Sequence, residues 1–325
     1  MVSTTSTIDL LLPSQPVQGK RLYLSSAVIK SAKEREINLK ENVSLKEYLR
    51  YIENNVFPVQ IYLHNGNIKA YEVPLAAHSK TAGTIIVLFG RWNYRDFYYG
   101  TKHDLILDQN TERRPDVDIT PKRRPRPPAA QAPNSNGAPY PTMVIEIGLS
   151  QSLPDLHRAS ILYFNARTTI QLVLAIKIFG VRAVTDPVTN ITTNTIALIA
   201  LLYNRTSNTP LIPTKVISFG SANPDTNTEN YILNRMGVPA ANFTGVGRSD
   251  RNNNPFPPCN GPIVPIYLLN IPGTILFDGV PPNLLPQNQG FNATGAPIMP
   301  LQGFAAGFNL DLWEIQLAIR DQLDI

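Results

Sequence analysis

The chain has 325 residues, 43% hydrophobic and 16% charged, with a formal charge of +5. That length and apolar content supply one large core or two smaller ones and exclude a chain disordered throughout. The charged share lies below the roughly 25% of ordinary domains, and 29 prolines exceed the usual share of about 5%, so long loops are expected. The charge is uneven. Residues 1–140 carry 19 basic and 13 acidic side chains, giving +6, and the remainder carries 10 and 11, giving −1. The first half is the better candidate for meeting a polyanion. The apolar runs Thr195–Tyr203 and Ile170–Ile176 are about half the ~20 residues that span a bilayer, so no transmembrane helix and no membrane partner are expected. Met1–Ser14 has no positive charge before its short apolar stretch, which reads as no secretory signal and as an intracellular protein, nuclear or cytoplasmic. Cys259, the only cysteine, excludes an internal disulfide and a cysteine-rich zinc site.

In chain order, residues 1–43 read as an extension with one short strand near Leu22–Val28. Ser44–Asn54 is predicted as an amphipathic helix: Ser44 and Glu47 form a capping box, and Leu45, Tyr48, Leu49 and Ile52 make an apolar stripe. Val59–Leu63 and Ile68–Val73 flank an Asn65-Gly66 turn and predict a hairpin. Ala76–Trp92 leans helical, and Asp104–Leu107 and Asp116–Ile119 read as short strands. Pro121–Pro141 holds seven prolines among 21 residues and reads as a disordered insertion. Thr142–Gly148, Ser152–Asn165 and Thr168–Phe179 then form a strand, a helix and a strand, a unit that sets its two strands parallel. Further strands are expected at Thr195–Tyr203 and Thr214–Gly220, with polar loops at Asn223–Asn230 and Arg248–Gly261. Ile263–Phe277 reads as two short strands, and Phe308–Leu323 as a closing helix with Asn309 as its N-cap.

Glu146 is the odd residue of the most apolar strand. A carboxylate there is costly unless it is paired or bound to a cation. Asp116 lies thirty positions earlier in another expected strand, and most of the intervening sequence is the proline-rich tract. Two carboxylates on adjacent strands can hold a hard divalent cation such as magnesium, if they lie within about 8 Å of one another. The plain structural alternative makes Asp116 a strand-end residue and pairs Glu146 with Arg158, Lys177 or another base. His64, His78, His103 and His157 are scattered, and no Ser-His-Asp arrangement or phosphate-binding glycine loop is present.

Arg114-Pro115-Asp116-Val117-Asp118, then Val144-Ile145-Glu146-Ile147-Gly148, then a helix ending in Tyr163-Phe164 and its following strand resemble the putative restriction endonuclease family of the PD-(D/E)XK nuclease superfamily. The hairpin Ile61-Tyr62-Leu63-His64-Asn65-Gly66 and the later His78 are similar to that family's early segment. The Glu146-to-Ser152 run resembles an expanded, fungal set of such proteins. The resemblance covers roughly residues 59–180. It implies a core sheet flanked by helices, with Asp116 and Glu146 holding magnesium, or manganese, against a scissile phosphate and an attacking water.

Departures accompany the likeness. The superfamily usually has a lysine two residues after the second acid, where Gly148 stands, and a branch that moves it to the next helix would have it at Ala159. Arg158 points about 100° away on a helix and holds its proton too firmly to act as a base. Lys177 and Gln151 are the remaining substitutes. The acid often found in the first hairpin is replaced by Tyr62, although Glu72 is near in sequence.

The expected architecture is α/β: a restriction-endonuclease-like mixed sheet flanked by helices over residues 44–180, with the 121–141 tract inserted, and a strand- and loop-rich extension over 181–325. The expected function is metal-dependent hydrolysis of nucleic-acid phosphodiesters, DNA first, by Asp116, Glu146, Lys177 and Gln151. Three alternatives stand beside it: a non-catalytic binding module on the same fold, a protein-interaction module using Arg123–Pro128 as a polyproline ligand, and a structural shell protein.

Overall fold

The computed structural model describes residues 37–53, 59–71, 76–134, 136–185, 187–285, 290–291, 297–298 and 307–323. The expected strand near Leu22–Val28 lies outside them. No helix among the described residues is long and apolar enough to cross a membrane.

A five-stranded antiparallel sheet opens the chain. It contains β1 (Ile37–Lys40), β2 (Gln60–His64), β3 (Asn67–Tyr71), β5 (Leu105–Asp108) and β6 (Thr111–Arg113), ordered β1-β3-β2-β6-β5. The capping box starts α1 (Leu45–Glu53) as the residues require: Ser44 Oγ accepts the Glu47 N–H, and the Glu47 carboxylate accepts the Ser44 N–H at 2.9 Å. Tyr48 of α1 is buried against Ile61, Leu63 and Ala70 of the sheet. Asn65 (φ 48) and Gly66 (φ 75) are both left-handed, the backbone that a two-residue hairpin turn demands.

The second sheet is the larger and mixed. It runs β14-β13-β12-β9-β8-β7-β4, with β4 (Phe97–Gly100), β7 (Val117–Pro121), β8 (Met143–Gly148), β9 (Leu172–Ile178), β12 (Leu198–Asn204), β13 (Lys215–Ser218) and β14 (Phe243–Gly245). β8 and β9 pair in parallel at the centre, and every residue of both is buried, which explains their nearly continuous apolar sequences. Their crossover is α3 (Leu153–Leu162), whose N-cap Ser152 accepts the Asp155 N–H at 3.2 Å. An exposed hairpin, β10 (Arg182–Thr185) and β11 (Thr192–Thr195), leaves the sheet between β9 and β12.

One face of the large sheet is covered by α2 (Ala76–Asn93), through Ile85, Phe89 and Trp92, and by a C-terminal helix, through Ile315 and Ile319. The other face is covered by Leu153 and Leu156 of α3, Leu105 and Leu107 of β5, and Ile232 and Met236.

Several expectations in the second half are corrected. Asn223–Asn230 is not wholly loop: Asp225 accepts the Thr228 N–H at 2.7 Å and starts α4 (Thr226–Asn230), which continues as a π-type turn. Ile263–Phe277 contains one strand, β15 (Leu268–Ile271), followed by a helical turn, α5 (Gly273–Leu276). Short strands β16 (Gly290–Phe291) and β17 (Pro297–Ile298) follow. Phe308–Asp311 is a strand, β18, paired with β15, so the last helix, α6, spans Leu312–Leu323. Asn309 faces Asn270 across that ladder, and the Asp311 carboxylate takes the Trp313 N–H at 3.0 Å. Asp311 ends the strand and caps the helix through that bond, and this shifts the boundary from Phe308 to Leu312.

The proline-rich tract follows a defined course. Ile106 donates to the Pro133 carbonyl at 2.8 Å, Ala129–Gln131 forms a 3-10 turn, and Ala132 and Tyr140 are buried. The Arg124 guanidinium ties the tract down, donating to the Tyr140 carbonyl at 2.7 Å and meeting the Asp278 carboxylate at 3.2 Å.

Candidate functional site

Side chains alternate across a strand, and this sorts the middle of the large sheet cleanly. Val117 and Ile119 of β7, Met143, Ile145 and Ile147 of β8, and Leu172, Leu174 and Ile176 of β9 belong to one apolar cluster. Asp118, Val144, Glu146, Val173, Ala175 and Lys177 therefore take the opposite face. β7 and β8 are antiparallel with Val117 opposite Ile145 and Asp118 opposite Val144, and one further step of that register brings Asp116 alongside Glu146. Asp116 is fixed there by its own N–H to the Ile145 carbonyl (3.1 Å) and by the Ile147 N–H to its Oδ2 (2.8 Å). Lys177 is the register partner of Gly148 on the parallel neighbour strand. Gln151 lies just past β8, its Cβ 3.6 Å from where a Cβ on Gly148 would stand.

Both acids are buried and compensated. Asp116 Oδ1 receives the Lys102 ammonium at 2.8 Å, and Oδ2 lies 3.1 Å from His78 Nε2. Burial alone would raise its pKa, but the bond to His78 and the charge of Lys102 outweigh it and hold the carboxyl below its ordinary value. Glu146 accepts the Tyr163 hydroxyl, and Arg113 Nε stands 3.9 Å from the same oxygen. Here burial wins, helped by the nearby negative charge of Asp116, and Glu146 is pushed up to about 7. The expected bases for Glu146 are elsewhere: Arg158 pairs with Asp155, and the Lys177 ammonium donates to the Leu149 carbonyl at 2.6 Å. Tyr62, standing where the resemblance implies an acid, is buried with the Arg113 guanidinium 4.3 Å from its ring centre. Glu72 lies outside the described residues.

Sequence reading therefore missed Lys102, Arg113 and Tyr163 and set His78 aside. Arg113, three residues before Asp116, was the nearest in sequence; Lys102 and Tyr163 reach the site only through folding. Lys102 takes a left-handed backbone, φ 58, and its side chain is 36% exposed, so the group on Asp116 borders solvent. A further pair lies beside it: His103 Nδ1 is 2.9 Å from the Asp118 carboxylate. Gly100 makes that approach feasible, because a Cβ there would sit 2.4 Å from His103 Nδ1 and 2.5 Å from Asp118 Oδ2. The bond to Asp118 raises the His103 pKa. On β6, Glu112 is fully buried, with Arg114 Nε at 3.5 Å, and burial pushes its pKa up to about 8.

Among the described residues, no group of three or more His, Cys, Asp or Glu side chains could hold a metal ion. Magnesium, however, typically takes one or two carboxylates and completes its shell with water and substrate phosphate. Asp116 and Glu146 fit that requirement in oxygen chemistry and in placement, side by side on one face of antiparallel neighbours β7 and β8.

Residues 45–178 match the family model Uma2, described as "Putative restriction endonuclease". Among solved structures, the crystal structure of "a putative nuclease belonging to DUF820" from Anabaena variabilis is similar, at 14% identity over 60% of this chain and 99% of that one, with a TM-score of 0.35. No curated protein matches the chain. The matched residues 45–178 span the hairpin, both acids and the parallel β8–β9 pair, so this part of the chain is similar to the restriction-endonuclease-like family.

Proposed function

We propose that this protein hydrolyses phosphodiester bonds of nucleic acid, DNA first, at the Asp116–Glu146 pair with magnesium or manganese. The observation that carries the reading is the buried pair on one face of the central strands, with Lys102 on Asp116 at its solvent side. A bound divalent ion held by both carboxylates would polarise the scissile phosphate and acidify a water. The chain's own groups supply the rest. The Ile147 N–H fixes the Asp116 carboxylate, and Tyr163 and Arg113 orient Glu146. Lys102 provides the positive charge that the chain lacks at Gly148 and Ala159, where the family pattern has lysine, and it can stabilise charge developing on the phosphate. Lys177 and Gln151 stay in the proposal as residues on the same side, beyond Gly148, with Lys177 committed to the Leu149 carbonyl.

A second reading, a non-catalytic nucleic-acid-binding module, is favoured by the compensation itself: Lys102, His78 and Arg113 already balance both acids without a metal. The deciding experiment assays cutting and binding of supercoiled plasmid, single-stranded DNA and RNA with Mg²⁺ or Mn²⁺, comparing wild type with Asp116→Ala and Glu146→Ala. Cutting that vanishes in both variants supports the nuclease. Binding without cutting supports the module, and absence of both removes both readings.

A further inference from the structure

The sheet face that carries Asp116 continues along β7. Asp118 lies two residues on, about 7 Å along the strand, and Thr120 two further, opposite Tyr98 of β4. Over this end of the face the proline-rich tract folds back and encloses a cavity of about 280 Å³. Lys122, Arg124, Arg126 and His103 line it, and Asp118 is the one acid among its lining residues. Arg124 is occupied in anchoring the tract. Lys122 and Arg126 are exposed; the Lys122 ammonium donates to the Tyr94 carbonyl at 3.0 Å and stands over one face of the Tyr98 ring, 5.3 Å from its centre, Tyr98 being 62% exposed.

These groups form a set with a chemical logic. Two exposed cations suit a phosphate, and an exposed aromatic face suits a base. A buried carboxylate with a histidine on it offers hydrogen bonds to a sugar or base edge. The volume lies at the small end for ligand sites and is of the order of one nucleotide unit, well short of a base pair. The distance from Asp116 to Asp118 is of the order of one nucleotide step in an extended strand.

We propose that this cavity binds a single unstacked nucleotide, adjacent to the one whose phosphodiester lies at Asp116 and Glu146, so that the protein takes single-stranded segments. The proposal rests on the nuclease-family reading for its second nucleotide only; the cavity's own chemistry stands apart from it. A free mononucleotide offers the same phosphate, sugar and base.

The test is fluorescence anisotropy with the full chain and a labelled 12-nucleotide single strand in EDTA, comparing wild type, Tyr98→Ala and the double variant Lys122→Gln/Arg126→Gln. All three side chains are on the surface, so folding is not at stake. Tyr98→Ala is expected to weaken binding about 5- to 100-fold. The double variant is expected to weaken it too and to flatten the salt dependence by about 0.7 in slope per lost phosphate contact. Duplex of the same sequence should show neither effect. Mononucleotide that binds with the same residue dependence while the oligonucleotide does not would assign the cavity to free nucleotide. Equal binding by all three proteins, or none by wild type, overturns the proposal. Cleavage with Mg²⁺ is read separately. Variants that lose binding while wild type never cuts leave the cavity standing and remove the nuclease. Wild type that cuts, with variants that bind and cut as well as it does, removes the cavity alone.

Discussion

The two faces of the large sheet are built from alternate residues of the same strands, yet they solve different problems. Toward α2 and α6, β7, β8 and β9 present Val117, Ile119, Ile145, Ile147, Leu174 and Ile176, all buried in one apolar cluster. Toward α3 and the small sheet, the same strands present Asp118, Glu146 and Lys177, with Asp116 just before β7, every one of them buried. Burying those ions is unfavourable on its own, and each is met by a counter-group from another element. One face thus supplies stability, and the other spends part of it on a preorganised charge cluster. Such expenditure is expected of a functional site rather than of a core.

Substitutions on each face can break or sharpen that contrast. The largest effect is expected from Asp116→Ala, at least a 10³-fold fall in cutting rate, equivalent to about 4 kcal/mol, measured on plasmid with Mg²⁺. Retained cutting would locate the chemistry elsewhere. On the apolar face, Ile145→Ala should cost about 3 kcal/mol in urea unfolding, at every pH, because it leaves a cavity and no charge. A pH-dependent cost would show that the two faces are coupled. Lys102→Met should lower cutting about 10²-fold and also cost stability, because it strips the buried Asp116 of its ammonium, whereas Lys177→Met should lower stability by freeing the Leu149 carbonyl and leave cutting nearly unchanged. The reverse pattern would restore Lys177 to the catalytic role.

Smaller effects follow from pH. Glu146 must ionise to hold a cation, and its pKa is raised to about 7, so cutting should rise as pH passes upward through 7. A rate flat from pH 5 to 8 would contradict that. For Glu112, the folded value of about 8 lies above the ordinary 4.5. The folded state therefore holds the proton more tightly, and its contribution to stability is complete below about 4.5 and lost as pH rises through 8. Glu112→Gln removes that loss. It should stabilise the protein by about 1–2 kcal/mol at pH 9 and have no such benefit at pH 4, as thermal melts at the two values would report.

Much of the fold was legible locally. The capping box at Ser44, the Asn65-Gly66 turn and the apolar runs of β8 and β9 each state their structure within a few residues, because caps, turns and parallel core strands have local chemistry. The start of α6 and the helix at Thr226 were misread because single Asx caps compete with strand pairing, which is settled by a distant partner. The acid pair was legible as Glu146 in an apolar strand and Asp116 before another. Its counter-groups were not, since Lys102, Tyr163 and His78 lie 14, 47 and 38 positions from Asp116.

By itself the sequence determined which strands are buried, that Glu146 needs a partner, and that the pattern lysine is missing at Gly148 and Ala159. Periodicity and side-chain chemistry are properties of neighbouring residues, so they can be read along the chain. Only the tertiary structure decided that Asp116 meets Lys102 and His78, that Glu146 meets Tyr163 and Arg113, and that the proline-rich tract roofs a basic cavity. Those contacts depend on strand register and on which helix covers which face, and both are fixed by the packing of the whole sheet.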